Sequence, residues 1–276
     1  YRGARLTVRG LPHKLIILPV LALILFVLIM GIMGLLSAGI WGFVEVWRFP
    51  DILPEKWGLV SWRNGFAAYI PPFINTLIVG FITSILALIS AIIWLEYPAK
   101  SLSKVTEALV YIPLLLPQTG FLFGMQVLII WLEVDGLYIT VIWAHYLFVF
   151  PYTLLTLGPI WRRFDVRYEL LGAICGFAKF KRLWRIKMPL MAVPVITSFA
   201  IGFAVSSALY LPTIFAGNGT FLTLTTEAVT LAANASRQAA GIAALLQMIL
   251  PLVIFIIAGI YIRFRLHNFS YFRISH

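Results

Sequence analysis

Glu169–Pro189 reads ELLGAICGFAKFKRLWRIKMP and lies between two long apolar runs. Leu170, Leu171 and Ile174 recur at helical spacing, and Gly176 interrupts the pattern. Phe180, Leu183, Trp184 and Ile186 then form a second apolar stripe, with Lys179, Lys181, Arg182, Arg185 and Lys187 around it. Pro189 opens the next apolar run. The pattern predicts two short helices that meet at a glycine and lie along a membrane surface. A soluble-looking segment held between spans is a natural place for a partner protein to grip. On its own, the same pattern also fits a basic loop resting on lipid headgroups.

The rest of the chain fixes the setting. Of its 276 residues 62% are hydrophobic and 11% charged, with a mean hydropathy of +0.98. Soluble domains carry about 25% charged residues, so this chain has too little polar surface to cover itself in water. It reads as an all-α polytopic membrane protein, because open sheets leave backbone groups unpaired in lipid. The net charge of +11 would suggest nucleic-acid binding in a soluble protein; here it points to basic loops on one membrane face. Cys175 is the single cysteine, which excludes an intrachain disulfide. The sequence has no HExxH, phosphate loop or GxSxG pattern, so no nucleotide site or catalytic constellation is expected in the chain itself.

Six runs meet the length of about 20 apolar residues that a crossing needs. They are Leu15–Phe43, Phe73–Leu95, Val105–Leu132, Leu137–Ile160, Leu190–Ile214 and Ala239–Ile262. The connections on one side, including both termini and residues 161–189, hold 17 Lys and Arg, against four on the other (Arg48, Lys56, Arg63 and Arg237). The basic side is expected to be cytoplasmic. On the other side, Trp41–Pro72 reads as an interfacial segment with Trp47, Trp57 and Trp62 at headgroup level, Glu133–Gly136 as a tight acidic turn, and Phe215–Gln238 as a turn followed by a short helix.

Polar residues within the runs are few: Asn75, Thr76, Gln118, Thr119, Gln126, His145, Ser198, Ser206, Ser207, Tyr210 and Gln247. Helix-to-helix hydrogen bonding is the ordinary role of such groups. Gln118 and Thr119 follow Pro117, which frees backbone carbonyls, and with Ser207 and Tyr210 they are the candidates for a translocation path. His145, between Trp143 and Tyr146, reads as structural. No Asp, Glu, Lys or Arg lies clearly in mid-span.

The spacing in the central loop adds a family resemblance. Gly176 is followed by nine residues and then Ile186, Lys187, Met188 and Pro189. This resembles the cytoplasmic loop of ABC importer permeases, written EAA, three residues, Gly, nine residues, I-x-L-P. Met188 stands for the Leu at similar volume. At the front the chain departs: Leu170 occupies the position of the family's Glu, Glu169 stands one residue earlier, and Leu171 and Gly172 replace the two alanines. Ser206–Val229 also resembles the fifth-span exit of permeases for ferric iron, thiamine and polyamines. The resemblance covers about residues 73–262.

It implies a six-helix type I importer fold over a single permease domain, 1–276. The coupling loop would be 161–189, with ATPase contacts at Glu169, Gly176, Phe180, Leu183, Trp184, Ile186 and Pro189. It also implies two ATP-binding subunits that hold ATP and Mg, a periplasmic solute-binding protein, and an inner-membrane location. The chain itself would hold no cofactor and catalyse nothing. A second permease half is needed, as an identical chain, a homologue or part of the same polypeptide; the start at Tyr1 rather than Met points to the last, since fused permeases exist in this group. A secondary carrier or channel would instead require a mid-membrane charge or an inverted repeat, and a membrane-embedded enzyme would require clustered carboxylates or His.

Overall fold

The computed structural model describes residues 13–48, 50–97, 108–234 and 236–271, with side chains described from 17 to 265. The bases at Arg2, Arg5, Arg9, Lys100, Lys104 and Arg273, and the start of the third run at Val105, lie outside the described residues.

Helix α1, His13–Phe43, matches the first apolar run. It is exposed along almost its whole length and packs against the last helix. The two backbones cross at Gly42 and Gly241, where a Cβ on Gly241 would come within 2.7 Å of the Gly42 nitrogen. Small residues allow this approach in lipid, where burial of apolar surface supplies no drive.

Trp41–Pro72, expected to be interfacial, holds regular structure. Strands β1 (Val44–Val46) and β2 (Lys56–Trp57) form a small antiparallel hairpin. Helix α2 then runs unbroken over Val60–Glu96, starting well before Phe73 and passing through Pro71 and Pro72. Tertiary contacts hold these early turns. The Val60 N–H donates to the Glu45 carboxylate at 3.0 Å, an anion at a helix start. Trp62 Nε1 donates to the Gly42 carbonyl at 2.7 Å, and the Tyr69 hydroxyl to the Ala239 carbonyl. At 37 residues α2 is about 55 Å long, far more than the hydrocarbon core requires.

The third run is broken. After α3, Ile112–Leu115, the chain turns extended at Leu116 before α4, Gln118–Trp131. Pro117 is the cause: it donates no N–H and pushes the preceding residue out of helical geometry. Helix α5, Tyr138–Arg162, matches the fourth run. The central loop forms α6, Val166–Ile174, and α7, Lys179–Leu190. Helix α8, Ala192–Ala208, leaves α7 at 80°. The fifth run also breaks, at extended Leu209 ahead of α9, Leu211–Ala216, which carries Pro212 in its first turn. Helix α10, Leu224–Ala233, is the expected short helix, started by a capping box between Thr223 and Thr226. Helix α11, Arg237–Tyr271, closes the chain.

Among the described residues, α1, α2, α5 and α11 are each long and apolar enough to cross a membrane. The other two expected crossings are the broken ones. Helices α2, α5 and α8 pack together as the centre of the bundle, with α10 and α11 alongside.

Candidate coupling site

Helix α6 begins at Asp165, whose carboxylate accepts the Arg167 N–H at 2.9 Å. It ends in a Schellman motif: the Gly176 N–H bonds the Ala173 carbonyl and the Phe177 N–H bonds the Gly172 carbonyl, both at 2.9 Å. Gly176 has φ +76°, a backbone state that costs other residues about 1–2 kcal/mol. The chain thereby turns into α7 over the four residues 175–178. Within α7, Leu183–Lys187 is a π turn, closed by the Met188 N–H on the Leu183 carbonyl. Such turns are rare and concentrate at functional positions.

The two helices pack tightly. A Cβ on Gly172 would lie 2.4 Å from Ile186 Cδ1, so α6 touches α7 at bare backbone. Leu183 turns inward and joins Ala91, Leu154, Leu157, Trp161, Met191 and Val195 in one buried cluster. Phe180 and Trp184 turn outward, 67% and 55% exposed, with ring centroids 6.1 Å apart. Leu170, Leu171 and Ile174 on α6 are exposed as well. Three of the expected ATPase contacts, Phe180, Leu183 and Trp184, are therefore divided. Phe180 and Trp184 stand together on the surface, and Leu183 pins the loop to the bundle. Ile186 and Pro189 are half-buried at the joint, and the Pro189 carbonyl accepts a 2.7 Å bond from Arg265.

The basic residues divide too. Lys179 Nζ reaches the Glu96 carbonyl at 3.3 Å and lies 4.1 Å from the Tyr97 ring centroid. Lys181 sits over the Phe177 ring. Lys187 is buried: its Nζ is 2.7 Å from Glu96 Oε2 and 2.8 Å from Glu169 Oε1. Glu169, expected to face an ATPase, is thus held by a partner within the chain. Glu96 and Lys187 are the site residues that the sequence reading missed. The available signal was Glu96 itself, a carboxylate that ends the apolar run of α2, since an ionisable group at a span end calls for a partner.

The path candidates sit beside the two helix breaks. Gln118 is half-buried and Thr119 exposed at the start of α4; Ser207 and Tyr210 flank the break between α8 and α9. Leu114 and Phe121 from the first break, and Leu209 and Leu211 from the second, pack on one apolar cluster. Ser207 is buried; its hydroxyl donates to the Ala204 carbonyl and its own carbonyl accepts from Thr225. His145 bridges Ser206 and Thr213 at 2.8 and 2.9 Å, tying α5 to both sides of the second break. The Asn218 amide donates to the Asp135 carboxylate at 2.8 Å, joining the acidic turn to the turn before α10.

The bundle has long apolar helices, two broken crossings and a bent amphipathic loop at one end, and the chain belongs to the ABC transporter permeases. No profile of a known protein family matches it. It is 38% identical over 187 residues to the inner membrane ABC transporter permease protein YnjC of Escherichia coli (strain K12). That stretch is 68% of this chain and 36% of the relative, which is therefore close to twice as long.

Proposed function

We propose that the chain is the transmembrane subunit of an ATP-driven importer in a bacterial inner membrane. It passes a small polar solute, handed over by a periplasmic binding protein, and it is driven through residues 161–189. The single supporting observation is the loop's construction: Phe180, Trp184 and Ile174 are exposed on a bend whose two helices close on each other at Gly172 and which Leu183 locks to the bundle. Paired aromatic anchors on a rigid base suit a protein interface. On this reading two ATPase subunits bind ATP and Mg, and their closure moves the loop as a rigid body. Both termini and the loop face the cytoplasm, residues 1–276 form one permease domain, and a second such domain completes the pore. The greater length of the relative favours a second half on the same polypeptide. The broken third and fifth crossings complete six spans and line the path with Gln118, Thr119, Ser207 and Tyr210. Ferric iron, thiamine, a polyamine or another small polar solute would each suit this reading, since a binding protein would carry much of the selectivity.

The test is reconstitution in liposomes with the ATPase subunit and the binding protein. ATP hydrolysis stimulated by loaded binding protein, with uptake that requires ATP, is the expected result. Uptake that proceeds equally without nucleotide overturns the proposal. Cys175, the single cysteine and exposed, supplies the orientation check: an impermeant maleimide should reach it from the cytoplasmic side alone.

A further inference from the structure

The Glu96–Lys187–Glu169 cluster joins the end of α2 to both helices of the loop, beside the Lys179 bond to the Glu96 carbonyl. Glu96 is the last residue of α2, Glu169 lies in α6, and Lys187 ends the π turn of α7. The Lys187 side chain is 9% exposed, Glu96 5% and Glu169 27%. The ammonium also lies 4.8 Å from the Trp161 ring centroid at the end of α5 and 5.3 Å from that of Phe164, aromatic faces that attract a cation. One cation thus contacts the ends of two long helices and both helices of the loop. Buried ion pairs are no more stabilising than well-packed apolar residues, but they tolerate few alternative geometries. A group of this kind fixes position. Without it, the tie of α7 to the end of α2 would rest on apolar contacts and on Lys179, whose bond to the Glu96 carbonyl is longer, at 3.3 Å.

We propose that Lys187 is the positioning residue of the loop. Its ammonium is clamped between Glu96 and Glu169, so that a push on Phe180 and Trp184 is delivered to α2 instead of being lost in bending. The functional part of this inference rests on the coupling reading above.

The experiment uses the full chain in liposomes with a nitroxide on Cys175, which lies between α6 and α7. Lys187→Met keeps an apolar stem and removes the charge; Lys187→Arg keeps the charge. Lys187→Met should mobilise the nitroxide and lower the solute moved per ATP by about tenfold or more, since a broken buried pair leaves an uncompensated charge. Lys187→Arg should restore most of both. Glu169→Gln, at the more exposed carboxylate, serves if Lys187→Met does not insert, and should give a smaller change of the same sign. Unchanged nitroxide mobility in the inserted variants, or unchanged solute per ATP, overturns the proposal. The mobility measurement needs no ATPase. A clamp that holds in a wild-type chain that binds no ATPase would therefore overturn the coupling reading and leave the clamp standing.

Discussion

Replacing Gly172 by alanine tests whether the loop's bend is set by backbone contact between α6 and α7. The added Cβ would lie 2.4 Å from Ile186 Cδ1, with Arg182 Cγ and Cδ at 3.2 and 3.3 Å. Carbon atoms rest at about 3.5–4.0 Å, so the Ile186 methyl must retreat by roughly 1 Å, and the Arg182 stem narrows the route. Ile186 then leaves its rotamer or α6 tilts off α7. Overpacking of this kind costs about 1–3 kcal/mol. Ile186→Val removes the clashing methyl. In that background Gly172→Ala should cost less than about 1 kcal/mol, giving a coupling energy of about 1–2 kcal/mol between the positions. The assay is hydrogen exchange at the Gly176 and Phe177 amides, whose bonds to Ala173 and Gly172 close the bend, because local opening sets their exchange. Strictly additive effects of the two substitutions would refute the reasoning, since they would mean that residues 172 and 186 do not bear on one another.

The neighbouring glycine should behave differently. Gly176→Ala meets no atom within 4 Å but holds φ at +76°, so it should cost about 1 kcal/mol whatever residue stands at 186; Gly176→Leu should insert normally yet lose ATP-driven uptake, as flux assays in liposomes would show. Phe180→Ala and Trp184→Ala should each weaken ATPase binding by about tenfold or more, while melting temperature stays near wild type; unaltered affinity in a titration would remove these rings from the interface. Leu183→Ala, inside the bundle, should do the reverse, lowering stability by about 2–5 kcal/mol in a denaturant titration and acting on binding only through the loop's position.

Charge and apolarity along the chain already determine a good deal. Runs such as Leu15–Phe43 and Ala239–Ile262 exceed the bilayer core, and no contact with the rest of the protein is needed to make them helical in lipid. The bend at Gly176 is equally local, because it depends on a missing Cβ and on hydrogen bonds within six residues. Pro117 and Pro212 are local too, since each marks its helix break through its own ring. Other features depend on partners distant in sequence. Lys187 meets Glu169 across 18 residues and Glu96 across 91, so a base that counted only toward the positive side of the membrane proves to be buried in a carboxylate clamp. Leu183 and Trp184 are adjacent in the same stripe, and only the packing of α7 on α2 and α5 decides that one faces the core and the other the surface. Helix α2 extends back to Val60 because Glu45, Gly42 and Ala239 receive its early turns. A hydrophobic period specifies which residues share a stripe; which neighbour covers that stripe is set by the energy of the assembled bundle.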